Sequence, residues 1–173
     1  MGSGSLRIVV DNTVLSNFKR INRLSLFREL LRSSPDEYFA TQYVLDEFGF
    51  VFDSSGVDLP LIPISEREFQ EYKKVVKIIP GWKGLGDGEL SCMLSIGLNR
   101  ADIMATDDRK ARNCAKKEGI RLSGTLFLVE ECVQLGLIND DEAIQLVQQM
   151  RSMGFWLSDR LFRNFEARMK RNR

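Results

Sequence analysis

The feature that most limits the folds open to this chain is an alternation. Short apolar runs trade places with longer segments whose apolar residues recur at helical spacing. Arg7, Ile8, Val9 and Val10 read as a first strand. Leu15, Phe18, Ile21, Leu24, Phe27, Leu30 and Leu31 then follow at spacings of 3 and 4, a helical pattern that ends at Ser33-Ser34-Pro35-Asp36. A strand at 37–40 leads to Thr41, a plausible N-cap for a helix carrying Val44, Leu45 and Phe48. Residues 49–63 read as irregular, with a short extended piece at 61–64. Ser65 and Glu68 have the spacing of a capping box, opening a helix to about residue 79 that Pro80-Gly81 ends. Beyond a glycine-rich loop a helix begins near Asp87. The chain then repeats strand (102–105), helix (107–118), strand (120–122) and helix (126–135, with Gly136 as C-cap). Two amphipathic helices, 140–153 and 158–169, finish it. Strands alternating with helices predict a parallel sheet flanked by helices, that is, an α/β chain.

In such sheets the functional crevice lies outside the carboxyl ends of the strands. Acidic residues stand at those ends. Asp11 closes the first run, and Asp107 and Asp108 close the run Ile103-Met104-Ala105-Thr106. Glu47 lies in the helix after Thr41, with Val44 and Phe48 beside it, which places it near a buried face. Glu89 follows the turn Gly84-Leu85-Gly86-Asp87-Gly88. Each has an ordinary structural explanation. Asp11 and the Asp107/Asp108 pair are good helix caps, Asp87 is the candidate cap of its own helix, and Asp87 and Glu89 both suit a helix N-terminus. Glu47 alone reads as a residue at the edge of an apolar face. The joint pattern is more informative: two strand ends and two helices bring carboxylates to one edge. Gathered carboxylates bind hard cations, Mg²⁺ or Mn²⁺. Two adjacent aspartates also repel unless a cation or a basic group is near.

Composition narrows the chemistry. The 173-residue chain has no histidine and 3 cysteines. Cys92, Cys114 and Cys132 form no CxxC pair, which argues against zinc and for a reducing, cytoplasmic setting. No apolar run has the roughly 20 residues a membrane helix needs. Residues 1–5 read as an expression scar. The expected organisation is one domain over 6–173, with 140–173 as a C-terminal helical extension. Residues 160–173 hold 6 basic residues and one acid, against 19 basic and 23 acidic in the rest. Such a tail suits either a phosphate backbone or a solvated terminal helix.

Two motif readings fail. The glycine-rich turn lacks the Lys-Ser/Thr of a P-loop. Asp11 invites the phosphatase pattern Asp-x-Asp, but position 13 is Thr. A phosphoacceptor receiver domain needs a strand-ending Asp and a late strand-ending Lys, and neither Asp58 nor Lys116 follows a convincing strand.

Five segments together resemble the PIN-domain family, in family order. They are Val-Val-Asp-Asn-Thr-Val-Leu-Ser at 9–16, Ala-Thr-Gln-Tyr-Val-Leu-Asp-Glu-Phe at 40–48, Leu-Gly-Asp-Gly-Glu-Leu-Ser at 85–91, Ala-Thr-Asp-Asp-Arg-Lys-Ala-Arg at 105–112, and 123–138 from Ser-Gly-Thr-Leu-Phe-Leu onward. The likeness covers about residues 6–165, and the motif set is similar to a prokaryotic subgroup close to VapC-type toxins. It implies a three-layer α/β/α fold with a central, mainly parallel sheet, and a Mg²⁺- or Mn²⁺-dependent ribonuclease. It carries the family acids onto Asp11, Glu47, Glu89 and Asp108, with Asp107 as an additional or alternative ligand. Thr13 and Thr106 take supporting places. Arg109, Lys110 and Arg112 are expected to bind RNA. A small antitoxin protein and a homodimer are the expected partners. The competing reading is a PIN-fold module that binds nucleic acid or protein without cutting.

Overall fold

Strands β1 (Arg7–Val10), β2 (Glu37–Phe39), β3 (Ile103–Ala105) and β4 (Leu122–Ser123) form an all-parallel sheet in the order β2-β1-β3-β4. The computed structural model describes residues 4–49 and 58–171. Between and after the strands run α1 (Asn12–Arg20), α2 (Leu24–Ser33), α3 (Gln42–Phe48), α4 (Glu66–Val76), α5 (Asp87–Gly97), α6 (Arg109–Lys117), α7 (Thr125–Gln134), α8 (Asp140–Ser152) and α9 (Asp159–Arg171). Ile8, Val9, Val10, Met104 and Ala105 are fully buried, as a sheet covered on both faces requires.

Right-handed crossovers set the layers. The chain steps from β1 to β2 in one direction, and later from β2 across to β3 and on to β4 in the other. Helices α1 and α2 therefore lie on one face and α5 and α6 on the opposite face, while α3 touches both α1 and α5. The packing agrees: α5 rests on β1 and β3, and α6 on β4, whereas α7 returns over α2 and α8 over α1. The result is the three-layer α/β/α sandwich expected. The step direction reverses between β1 and β3, so the crevice at their carboxyl ends is the topological switch point.

Several local details differ from the sequence expectation. The helical pattern of residues 15–31 is broken into two helices at Asn22, which takes a left-handed φ of 55°; asparagine tolerates that region better than most residues. The segment 61–64 contributes only a bridge between Leu61 and Ala40. Most of the irregular stretch 49–63, and part of the expected scar at 1–5, lie outside the described residues. The capping predictions at Thr41 and Ser65 hold: Thr41 Oγ1 accepts from Val44 N, and Ser65 and Glu68 close a capping box. The basic C-terminal helix is amphipathic, and it buries Phe162, Phe165 and Met169 as it packs on α8. Each such side chain contributes roughly 1.5–3 kcal/mol when fully buried. The three cysteines are buried free thiols. No helix among the described residues is long and apolar enough to cross a membrane.

Candidate active site

Asp11 stands where β1 ends and α1 begins, with its backbone N–H held by Ala105 O of β3 at 2.9 Å. It is 1% exposed. Its Oδ2 accepts from Thr13 Oγ1 at 2.8 Å and from Thr106 Oγ1 at 2.9 Å, and it caps α1 through Thr13 N. Its Oδ1 is buried with no hydrogen-bond partner. Burial dominates its titration and pushes the carboxyl above the usual range, against the threonine bonds. The same two hydroxyls accept in turn from the next turn of chain: Thr13 Oγ1 from Asp107 N at 3.0 Å, and Thr106 Oγ1 from Asp108 N at 3.2 Å. Thr13 and Thr106 thus fix one oxygen of Asp11 and tie the two strand ends together.

Glu47, in the last turn of α3, has an exposed side chain, as a residue at the edge of the apolar face formed by Val44 and Phe48. Its Oε1 accepts from Gly88 N at 2.8 Å. This contact explains the glycines better than turn flexibility does. A Cβ on Gly88 would meet Glu47 Oε2 at 2.5 Å, and one on Gly86 would meet Oε1 at 3.0 Å. The carboxylate lies flat against backbone at the start of α5, an approach only glycine permits. Glu89 bends back so that its Oε2 accepts from Gly86 N at 2.7 Å. Burial first, then the charges of Asp11, Asp108 and Glu47, push Glu89 up to about 7. Asp11, Glu47, Glu89 and Asp108 therefore sit in one another's field. Asp87 is not the cap of α5; Gly86 holds that position, and Asp87 pairs with Lys73 of α4 at 2.6 Å.

The adjacent aspartates separate cleanly. Asp107 has both oxygens engaged: Oδ1 accepts from Thr125 N at 3.0 Å, and Oδ2 accepts from Thr125 Oγ1 at 2.5 Å and Asn17 Nδ2 at 3.0 Å. It braces the start of α7 against α1. Burial raises its carboxyl as well. Asp108 caps α6 through Oδ1, which accepts from Ala111 N at 2.7 Å. The three cations after it also divide. Arg112 donates to Thr106 O at 2.7 Å and to Ser123 O at 2.6 Å, which clamps the ends of β3 and β4. Lys110 reaches back to Lys83 O. Arg109 is exposed and lines the groove beside Asp107 and Asp108.

Among the described residues, no three acidic or cysteine side chains close into a preformed metal cluster. The reason is visible in the bonds above: Glu47, Glu89 and Asp108 each rest one oxygen on a backbone N–H. Mutually repelling carboxylates settle on such donors. Two observations nonetheless fit a divalent cation. The bare, buried Oδ1 of Asp11 lacks any positive partner, and Glu47 and Glu89 feel its charge, an oxygen-donor chemistry that Mg²⁺ and Mn²⁺ take.

Fold and site define a three-layer α/β/α protein with an acidic crevice at its switch point. A family model described as a PIN domain matches residues 7–171, and the chain belongs to the PIN-domain family. PIN domains are generally nucleases that use divalent metal ions. No curated protein matches the chain.

Two groups escaped the sequence reading. Asn17 and Thr125, the partners of Asp107, are separated from it by 90 and 18 positions. Trp156 and Phe155 line the groove beside Arg109. The glycines flanking Asp87 were the one available signal for the seat of Glu47.

Proposed function

We propose that this PIN-domain protein is a Mg²⁺- or Mn²⁺-dependent endoribonuclease, working as one unit over 6–173 with 140–173 as a helical extension. The observation that carries the reading is the unpartnered, buried Oδ1 of Asp11 at the switch point, in a crevice where Asp11, Glu47 and Asp108 all act electrostatically on Glu89. Asp11, Glu47, Glu89 and Asp108 are the residues that would hold the ion. Asp108 is preferred to Asp107, because Asp107 spends both oxygens on Thr125 and Asn17. When bound, the ion supplies Lewis-acid stabilisation of phosphoryl oxygens and an activated water.

The chain's own residues do the rest. Thr13 and Thr106 hold Asp11 in one rotamer, leaving Oδ1 for the cation. Gly86 and Gly88 let Glu47 and Glu89 approach without a side chain in the way. Burial and the neighbouring acids raise Glu89 to about 7 in the metal-free site, an imbalance that a bound cation would relieve. Arg109 offsets the repulsion between this acidic crevice and a phosphate backbone.

The preference for RNA, the role of a toxin held in check by a small antitoxin protein, homodimerisation and a cytoplasmic setting rest on the motif resemblance. One observation favours the competing, non-cleaving reading: Glu47, Glu89 and Asp108 already have backbone partners and form no ready cluster.

One experiment separates the two. Labelled single-stranded RNAs are incubated with Mg²⁺, Mn²⁺ or EDTA, wild type beside Asp11→Asn. Metal-dependent cutting that is lost in Asp11→Asn is the expected result. Folded protein that cuts nothing under either metal would overturn the nuclease and leave a binding module.

A further inference from the structure

We propose that Trp156 is a base-stacking platform for single-stranded RNA, leading the strand into the acidic crevice; this deepens the nuclease reading and rests on it. Trp156 is 70% exposed, although its neighbour Phe155 is 7% exposed. The indole is not isolated: exposed Phe127 and Leu161 line the same groove, and a contiguous exposed apolar patch marks a contact surface. The segment that carries it is held firmly. Gly154 leaves α8 with a φ of 100°, Phe155 N donates to Met150 O at 2.9 Å, and Ser158 Oγ accepts from Leu161 N as α9 begins.

Two adjoining grooves, about 510 and 370 Å³, share Asp107, Arg109, Phe155 and Trp156. The larger runs past Asp108 to Arg20. The smaller runs to Lys116 and to Phe127, which is 39% exposed. An exposed indole is thus flanked by three cations, and the groove opens onto one of the acidic residues. Single strands are bound by this combination: aromatic faces take the bases and a basic groove tracks the phosphates. A duplex keeps its bases stacked on one another and cannot use the indole. The charge of Arg20, Arg109 and Lys116 complements a polyanion and favours nucleic acid over a protein partner.

The chain has two tryptophans, and Trp82 is buried at 5% exposure, so quenching of exposed tryptophan emission reports on Trp156. In an Asp11→Asn background, which blocks cutting, a mixed-sequence single-stranded RNA is titrated by quenching and by anisotropy. Expected are quenching on binding, weaker binding of a duplex of equal length, and a loss of affinity on the order of 10-fold in Trp156→Ala. Trp156→Phe should recover most of the affinity without the quench. Arg109→Ala should lower the salt slope by about 0.7.

Unchanged affinity in Trp156→Ala, with no quenching in the parent, would overturn the platform even if metal-dependent cutting stands. No RNA binding by the parent would also overturn it, and would leave the surface to a protein. Loss of cutting under every metal, with quenching and the Trp156→Ala defect intact, would instead overturn the nuclease alone.

Discussion

Strands β1 and β3 lie side by side, and their two ends treat a carboxylate in opposite ways. At the amino end, Asp102 takes Arg7 Nη2 at 2.7 Å, Arg7 Nε at 3.0 Å and Arg7 N at 2.9 Å, while Arg7 Nη1 also donates to Asn99 O. The guanidinium holds Asp102 down at about 2. At the carboxyl end, Asp11 has one satisfied oxygen and one bare one, and burial pushes its carboxyl up. The first end is complete as it stands and serves stability. The second is left electrostatically unbalanced, which costs stability unless a ligand supplies the missing charge. A site is recognised here by what its carboxylate lacks rather than by the presence of acid.

The largest expected contrast is between the two aspartates. Asp11→Asn should reduce metal-dependent cleavage by on the order of a thousand-fold and leave metal-free stability equal or higher. Asp102→Asn should cut as wild type does and melt a few degrees lower. Equal effects in the two variants, read by cleavage rates and thermal melts, would erase the distinction between the ends.

Next in size is the response to metal. Mn²⁺ at about a hundred times its Kd should add about 2.7 kcal/mol, a shift of roughly 5–10 °C for a chain of this length. The shift should persist in Asp102→Asn and vanish in Asp11→Asn. A shift surviving in Asp11→Asn, measured by calorimetry, would move the cation elsewhere.

Gly88→Ala tests the seat of Glu47. Its Cβ collides only with the far end of a flexible side chain, so stability should hold or rise by up to about 1 kcal/mol from helix propensity. Cleavage should fall roughly 10- to 100-fold as Glu47 is displaced. Full activity in this variant would remove Glu47 from the site.

The smallest effect is on pH. Asp102 and Glu68 are lowered to about 2, by Arg7 and Arg100 respectively, so their stabilisation is present above their ordinary range and lost as pH falls toward 2. Glu89 is raised to about 7, so its contribution is present below about 4.5 and lost as pH rises through 7. Metal-free protein should therefore be most stable in mildly acidic buffer and weaken toward neutrality. Glu89→Gln should flatten the upper limb in urea titrations; an unchanged limb would show that another group sets it.

The alternation of strands and helices, the parallel sheet and the acids at the strand ends were legible in the chain because they depend on local pattern, whereas the three-layer order came from the motif resemblance. Short apolar runs, their spacing and the residue at each strand end are neighbours in sequence, and the right-handed crossover then limits the choice of topology. The division of labour within the site was not legible. Asp107 and Asp108 have the same chemistry and adjacent places, and they part company only because Asn17 and Thr125 approach one of them. Arg112 and Arg109 look interchangeable until the ends of β3 and β4 claim the first and leave the second in the groove. Glu47 reads only as a residue beside an apolar face, yet its seat is the backbone of Gly88, 41 positions away. Local periodicity determined which residues reach the crevice. Only tertiary contacts decided which of their oxygens and nitrogens remain unspent there, because hydrogen-bond partners are assigned by distance in space and not along the chain.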